Sequence, residues 1–289
     1  MAYTGGQAET LKRMVAEKDK KHPLRVLAIS SGKGGVGKTN VVTNLAYSLC
    51  KQGERVLVFD ADMGLGNIHI LLGLAPKYNL EHVLSGQKTV SEIVVDGPVG
   101  IKILPAGSGV QELTQLDHAA RMLLLEEFDR ISQEYDFLIF DTGAGISSNV
   151  TYFCSAANEI ILIATTEPTS LTDVYALMKV LYQKHNQKYF RLIVNSVKSE
   201  KEALEIFRHL SAVTDKFLSH VSVEYLGHIL SDPNVSKAVR QQRAFMELYP
   251  HSKVSQCISG LCRKIIGEKL PSAGEYDRPF LWKNVFQVQ

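Results

Sequence analysis

Two lysines, Lys33 and Lys38, stand five residues apart in the glycine-rich segment SGKGGVGKTN at residues 31–40. The segment has the spacing G-x-x-x-x-G-K-[ST] between an apolar run and a helical pattern, which is typical of a phosphate-binding loop. Glycines allow backbone N–H groups to converge on phosphate oxygens. Lys38 is expected to reach the β- and γ-phosphates, and the Thr39 hydroxyl to ligate Mg²⁺. The residues predicted to contact the nucleotide are Gly34, Gly35, Val36, Gly37, Lys38, Thr39 and Asn40.

Carboxylates follow two further apolar runs. Asp60 and Asp62 lie two residues apart in FDADMGLGN, and side chains at this spacing on an extended segment point the same way. Beside a bound triphosphate such carboxylates orient water and help to hold Mg²⁺; without the phosphate loop they are more typical of strand-end turns. Asp141, in DTGAG, is expected to bind Mg²⁺ through water, while Gly143 lets the backbone approach the γ-phosphate.

The elements that must position these residues are predicted from the hydrophobic pattern. Short apolar, β-branched runs predict strands at 25–30, 55–60, 101–106, 136–141, 159–166, 190–195 and 223–230, with helical patterns between them, for example at 116–135 and 171–186. Strands alternating with helices require crossovers, so we predict an α/β fold. Its sheet is mostly parallel and twisted, with about seven to eight strands and helices on both faces. Ligands on such sheets bind at the carboxyl ends of the strands.

The composition bounds the class of protein. The chain has 289 residues, 45% of them hydrophobic, and its net charge of +2 does not argue for nucleic-acid binding. There is no run of about 18 apolar residues to predict a membrane span, and the polar N-terminus lacks a signal-peptide core. The four cysteines form no C-x-x-C pair, which is typical of free thiols in a reducing cytosol. We predict an N-terminal arm (1–22), one domain (23–268) and a C-terminal tail (269–289).

With Lys33 included, the loop resembles the deviant form K-G-G-x-G-K-[ST] of the MinD/ParA group of dimerising P-loop ATPases. In that family the first lysine reaches nucleotide in the partner subunit. The resemblance therefore implies ATP, Mg²⁺ and an ATP-dependent homodimer, with Asp62 positioning the attacking water and Asp60 supporting the site. A solvated surface charge remains the alternative for Lys33. The resemblance assigns Lys33, Lys38 and Asp62 to catalysis, Thr39, Asp60 and Asp141 to the metal, and Asp60, Asp62, Asp141 and Gly143 to the switch segments.

Two later positions match segments that the family places beside the base. Asn195 ends the run FRLIVN, and its amide offers a donor and an acceptor together, which matches an adenine edge. In the family an asparagine here reads adenine; a turn asparagine after a strand is the alternative. Pro233, in DPNV, begins a predicted helix in the second of these segments.

Several stretches are similar to one branch of the family, the flagellar regulators FlhG, FleN and YlxH. They are KTNVVTNLA (38–46), DADMGLGNI (60–68), DTGAGIS (141–147) and TEPTSLTD (166–173), and the match extends over roughly residues 5–268. In the arm, GQAETLK (6–12) resembles the family's D-Q-A-x-x-L-R segment, which stimulates the GTPase FlhF. Here Gly6 replaces the aspartate and Lys12 the arginine. The residues implied in partner binding are Gln7, Ala8, Leu11 and Lys12.

This resemblance implies a regulator of flagellar number and placement. Its implied partners are an FlhF-type GTPase, a FleQ-type transcription activator and flagellar switch proteins, and slow ATP hydrolysis would serve as a dimer-to-monomer switch. The alternatives are a MinD-type cell-division positioning ATPase and a ParA-like DNA-binding partition module. The Gln7-Ala8 arm favours the flagellar branch, and a net charge near zero disfavours direct nucleic-acid contact.

The last apolar cluster lies in the tail. Its residues are Phe280, Leu281, Trp282, Val285 and Phe286. The family commonly ends in a short amphipathic helix that binds membrane as a dimer; one such helix binds weakly, and two copies multiply the affinity. Packing into a groove of the monomer is the alternative. The expected location is cytoplasmic, with ATP-dependent association with the inner membrane near a cell pole, whereas the helix at 252–267 is expected to face the core.

Overall fold

A computed structural model describes residues 24–62, 66–107 and 118–267. The strands are β1 (Arg25–Ser31), β2 (Val56–Ala61), β3 (Val95–Asp96), β4 (Lys102–Pro105), β5 (Phe137–Ala144), β6 (Glu159–Ala164), β7 (Tyr189–Val197) and β8 (Ser222–Leu230). The longer helices are α1 (Lys38–Lys51), α5 (His118–Ser132), α6 (Ser148–Ala156), α7 (Pro168–His185), α8 (Glu200–Phe217), α9 (Pro233–Arg240) and α11 (Lys253–Gly267). The short helices are α2 (Ile68–Leu71), α3 (Leu80–Leu84), α4 (Val90–Ile93) and α10 (Phe245–Leu248).

The strands form one sheet in the order β3-β4-β2-β5-β1-β6-β7-β8. All neighbouring pairs are parallel except β3 and β4, which pair antiparallel at the edge. The predicted α/β class with a mostly parallel sheet of about seven to eight strands is confirmed. Strand β3 was not predicted, because its two residues are too few to show a periodicity.

The core lies on both faces of the sheet, and the strands show why. Along β1, Val26 and Ala28 pack into one apolar cluster while Leu27 and Ile29 pack into the other, because successive side chains of a strand point to opposite faces. Helices α5 to α8 contribute to the first cluster, and α1, α10 and α11 to the second. The predicted core-facing side of α11 is confirmed, since Val254, Ile258, Leu261, Cys262 and Ile265 are buried.

An aromatic cluster lies beneath the acidic ends of the two central strands. Phe59 and Phe140 each stand one residue before an aspartate, and both contact Phe153 of α6, with ring centroids 5.4 and 5.0 Å apart respectively. The rings of Phe59 and Phe140 are themselves 5.9 Å apart. Tilted and edge-to-face aromatic pairs add about 0.5–1.5 kcal/mol beyond their buried area, so this packing stabilises the ends of β2 and β5 against α6.

A buried ion cluster lies at the other end of the central strands. The Glu159 carboxylate accepts hydrogen bonds from Arg25 Nε at 3.0 Å and from Arg191 Nη1 at 2.9 Å, and Arg25 also donates to the Ile265 carbonyl of α11. Because an uncompensated buried charge costs about 3–5 kcal/mol, the shared carboxylate stabilises both arginines, and Arg191 also pairs with Glu224, whose Oε2 lies 3.4 Å from Arg191 Nε. The cluster ties β1, β6 and β7 to the last helix.

The predicted arm and tail lie outside the described residues, together with Gln7, Ala8, Leu11 and Lys12 and the aromatic cluster at 280–286. Within the described ranges, no helix is long and apolar enough to cross a membrane.

Candidate active site

The glycine-rich loop connects the end of β1 at Ser31 to the start of α1 at Lys38. Gly35 and Gly37 have φ angles of 77° and 89°, in the left-handed region that favours glycine. Ser31 Oγ donates a hydrogen bond to the Lys33 carbonyl at 2.7 Å, which closes the base of the loop. The local sequence thus forms a loop whose backbone leads directly into a helix N-terminus, where anions are stabilised.

A cavity of about 820 Å³ opens above this loop at the carboxyl ends of the strands. Eight of the predicted residues line it: Gly34, Gly35, Gly37, Lys38, Thr39, Asn40, Asp62 and Gly143. The rest of the cavity wall is formed by residues that no sequence motif marks, among them Asn67, Ile70, Ser147, Asn149, Val239 and Gln242. The volume lies in the range that suits a small-molecule ligand.

Asp60 and Asp141 form a buried carboxylate pair near the strand ends, and neither is among the residues that line the cavity. They are register partners on the adjacent parallel strands β2 and β5, and only 3% and 2% of their surface is exposed. Burial raises the pKa of each carboxyl to about 7, and for Asp141 the charge of Asp60 adds to the effect. Two carboxylates in this environment favour a neighbouring cation.

The residues present fit a magnesium ion. Among the described residues, Oδ1 of Asp60 and Oδ1 of Asp141 have no hydrogen-bond partner, and the Thr39 side chain partly offsets the rise in the pKa of Asp141 that burial causes. Mg²⁺ prefers oxygen ligands and is typically held by one or two carboxylates together with substrate phosphates. The predicted metal set of Thr39, Asp60 and Asp141 is therefore brought together in one place.

Lys38 and Asp62 face the same cavity. Burial lowers the pKa of Lys38, and the charges of Asp141 and Asp62 act in the opposite direction. A Cβ atom placed on Gly143 would lie 3.5 Å from Asp62 Oδ1. The Asp62 carboxylate is therefore close to the second predicted switch segment, DTGAG at residues 141–145. The two predicted switch segments meet here, although they are about 80 residues apart in the chain.

Lys33 does not line the cavity. Its ammonium turns outwards to Glu167 and Thr169 at the start of α7, with the Thr169 Oγ1 at 3.0 Å. An exposed ion pair of this kind contributes about 0–1 kcal/mol, so it holds the lysine only weakly. The two lysines of the loop thus have separate surroundings, one inside the cavity and one outside it.

Three other predicted residues, Val36, Asn195 and Pro233, are not among those that line the cavity. The Asn195 amide contacts the backbone of the loop, with Nδ2 donating to the Val36 carbonyl at 2.8 Å. Pro233 is the first residue of α9, whose N-cap Asp232 accepts a hydrogen bond from Asn234 N at 2.9 Å. The nucleotide contacts predicted for Val36, Asn195 and Pro233 stay predictions.

The unpredicted part of the wall has a weak sequence signal. Val239 and Gln242 come from the end of α9 and the turn after it, where Gln242 has a φ of 53°, and no motif in KAVRQQRAF marks them.

Three apolar residues at or near the cavity are exposed. Ile70, Ile146 and Val239 are 51%, 54% and 39% exposed. Ile70 and Val239 line the cavity, and Ile146 stands between the wall residues Ala144 and Ser147. Exposed apolar side chains therefore form part of the rim of the cavity.

Comparison with known proteins agrees with this geometry. The family model described as an AAA domain matches residues 24–193. The chain is 43% identical over 251 residues to the antiactivator FleN of Pseudomonas aeruginosa, covering 87% of this chain and 89% of FleN. It is 31% identical over 250 residues to the flagellum site-determining protein YlxH of Helicobacter pylori, covering 86% of this chain and 84% of YlxH.

Solved structures show the same fold. A chain of the MinC:MinD cell division protein complex of Aquifex aeolicus is 26% identical, with a TM-score of 0.66 over 86% of this chain and 99% of that one. The MinD of Pyrococcus horikoshii OT3 complexed with Mg-ADP has a TM-score of 0.64, covering 84% of this chain and 96% of that one, at 24% identity. The loop, the paired switch segments and the relatives together show that the chain belongs to the FlhG/FleN/YlxH family of MinD-like ATP-binding proteins.

Proposed function

We propose that this chain is an ATPase that regulates flagellar number and placement, with ATP hydrolysis as the switch between a dimer and a monomer. The observation that carries the proposal is the division of the loop lysines, with Lys38 in the cavity and Lys33 turned out of it. The similarity to FleN and YlxH over most of the chain supports the flagellar role. The proposed ATP hydrolysis is slow, because it serves to switch the dimer to a monomer.

In this proposal the loop residues 34–40 bind the phosphates of ATP. Thr39, Asp60 and Asp141 would hold Mg²⁺, which when bound neutralises charge on the transferring phosphoryl group. Asp62 orients the attacking water over Gly143, and Lys38 balances the charge that develops on the β- and γ-phosphates. The Lys33 ammonium, which lies outside the cavity of its own chain, would contact the nucleotide of a second copy.

The rim of the cavity supports a homodimer. Ile70, Ile146 and Val239 are exposed beside the site, and the buried centre of an interface between two copies of a chain is more apolar than the rest of the protein surface. A second copy of the chain that covered this rim would also exclude water from the nucleotide. Because electrostatic contacts strengthen when water is excluded, a lysine contributed across the interface acts more strongly there than on an open surface.

We expect Lys33→Ala to bind ATP with nearly unchanged affinity, yet neither to dimerise efficiently nor to hydrolyse ATP. The reason is that the Lys33 ammonium lies outside the cavity of its own chain. ATP affinity, mass in solution and phosphate release measure the three properties. Lys102→Ala, which removes a lysine from the exposed pair with Asp96, is the control and should behave as wild type. Hydrolysis by Lys33→Ala at the wild-type rate would show that Lys33 is a surface charge.

We further propose that the ATPase domain (23–268) is flanked by a partner-binding arm (1–22) and a membrane-binding tail (269–289). On this proposal Gln7, Ala8, Leu11 and Lys12 contact an FlhF-type GTPase, with a FleQ-type activator and flagellar switch proteins as further partners. The aromatic residues at 280–286 would hold the ATP-bound dimer weakly at the inner membrane near a cell pole. The similarity to an antiactivator supports the transcription-activator partner.

The flagellar role is tested by complementation of a Pseudomonas aeruginosa strain that lacks FleN. We expect this chain, 43% identical to FleN, to restore the number of flagella per cell counted by electron microscopy. Lys38→Ala expressed to the same level should fail, because it cannot hold the nucleotide. A wild-type chain that is stably expressed, dimerises with ATP and leaves the count unchanged would argue against the flagellar function while leaving the ATP switch intact.

A further inference from the structure

The side chain of Asn195 lies under the phosphate loop. Only 9% of the residue is exposed, and its Nδ2 donates a hydrogen bond to the Val36 carbonyl at 2.8 Å. Gly37, the next residue of the loop, leaves room for this amide, because a Cβ atom there would lie 2.6 Å from Asn195 Nδ2. The amide is thus packed directly against the loop backbone.

An irregularity in β7 places the amide there. Residues 194–197 of β7 pair with residues 228–230 of β8, so β7 has one extra residue between these two pairs. Ser196 has a φ of 59°, and its N–H donates to Asn195 Oδ1 at 2.8 Å. Bulges re-aim side chains next to active sites. With Oδ1 engaged by Ser196, the nitrogen of the amide is the end that faces Val36.

The contact orients one particular N–H group. The Val36 carbonyl and the Gly37 N–H belong to the same peptide unit, and in a planar trans peptide they point in opposite directions. When Asn195 holds the carbonyl on its side, the Gly37 N–H is directed to the other side. Gly37 lines the cavity, and converging backbone N–H groups are the donors that bind phosphate in such loops.

We propose that Asn195 is a positioning residue of the phosphate loop, which holds the Val36 carbonyl and so aims the Gly37 N–H at the phosphates of a bound nucleotide. The inference rests on the proposed ATP site and adds to it a role that does not depend on the base. A residue that reads adenine affects ATP and spares ligands without adenine. A residue that positions the loop affects every ligand with the same phosphates.

Two substitutions remove the donor in different ways. Asn195→Asp keeps the shape of the side chain but places a carboxylate oxygen against the Val36 carbonyl, and Asn195→Ala removes the contact altogether. Ser196→Ala is the matched control, because the Ser196 side chain is exposed and its backbone N–H is retained. The ligands are Mg-ATP, Mg-GTP and inorganic tripolyphosphate, which has no base. The affinity of the full chain for each ligand is measured by competition with a fluorescent ATP analogue.

We expect Asn195→Ala to lower the affinity for Mg-ATP and for tripolyphosphate by the same factor, about 3- to 10-fold for one neutral hydrogen bond. Asn195→Asp should lower the affinities for Mg-ATP and tripolyphosphate by a larger factor. In both variants the ratio of ATP affinity to GTP affinity should equal that of wild type. Ser196→Ala should leave all three affinities unchanged. If the alanine variant does not fold, the isosteric Asn195→Asp carries the test.

A loss of ATP affinity with unchanged tripolyphosphate affinity would overturn the proposal in favour of adenine reading. A lowered melting temperature with unchanged affinity for both ligands would also overturn it, since Asn195 would then be a purely structural residue. Wild-type protein that fails to bind ATP would contradict the proposed ATP site itself and remove the basis of the inference. The wild-type measurement thus separates the two failures.

Discussion

Lys38→Ala should lose most of its affinity for ATP. The Lys38 ammonium lies in the cavity near Asp62 and Asp141, where burial lowers its pKa and the two carboxylates counteract that effect. Hydrogen bonds to a charged group contribute about 1.5–3 kcal/mol, so the expected loss is on the order of 10- to 100-fold, measured by calorimetric titration with Mg-ATP. The removal of the cation also leaves the carboxylates facing the phosphates.

The matched control is Lys51→Ala, which removes an exposed lysine from the last turn of the same helix. It should bind ATP as wild type does. If Lys38→Ala binds Mg-ATP as tightly as the control variant, the cavity is not the phosphate site and the roles proposed for its other residues fail with it.

Asp62→Ala is expected to bind ATP but to hydrolyse it about 10²- to 10⁴-fold more slowly, the factor that a positioned acid–base group supplies. Since hydrolysis is the step that releases the dimer in the proposed cycle, the variant should accumulate as a dimer with ATP. The mass in solution by light scattering and phosphate release over hours measure these two properties.

Asp96→Ala serves as the comparison for Asp62→Ala, because Asp96 is an exposed acid on the edge strand β3. It should hydrolyse ATP at the wild-type rate. A monomeric Asp62→Ala at saturating ATP, with ATP bound, would contradict the dimer-to-monomer switch. A variant that is as active as wild type would instead show that water is positioned by another group.

The sequence alone predicts the position of those site residues that belong to a local pattern. A strand, a glycine loop and a helix in succession predict where Lys38 and Thr39 lie, because the loop is only six residues long and both of its ends are fixed. For Asp60 and Asp141 the sequence predicts only that each lies at the carboxyl end of a strand in a parallel sheet. Their direct register across β2 and β5 depends on the strand order, which no local pattern encodes.

The remaining features depend on long-range packing. Val239 and Gln242 reach the cavity only because α9 follows the edge strand back over the sheet, and their sequence resembles any polar helix end. The contact of Asn195 with Val36 requires a one-residue bulge at Ser196. The family resemblance predicts that Asn195 reads adenine, but no sequence pattern shows that its amide contacts the Val36 carbonyl.

The buried ion cluster of Arg25, Glu159 and Arg191 also fixes where the chain enters and leaves the described domain. Arg25 begins β1 and Ile265 stands near the end of α11, and the side chain of the first reaches the carbonyl of the second. The first and last elements of the described domain therefore adjoin, at the end of the strands away from the nucleotide cavity. A ligand bound to residues 1–23 and another bound to residues 268–289 would therefore be attached to the domain at neighbouring points, and such attachment would raise the concentration of each ligand near the other.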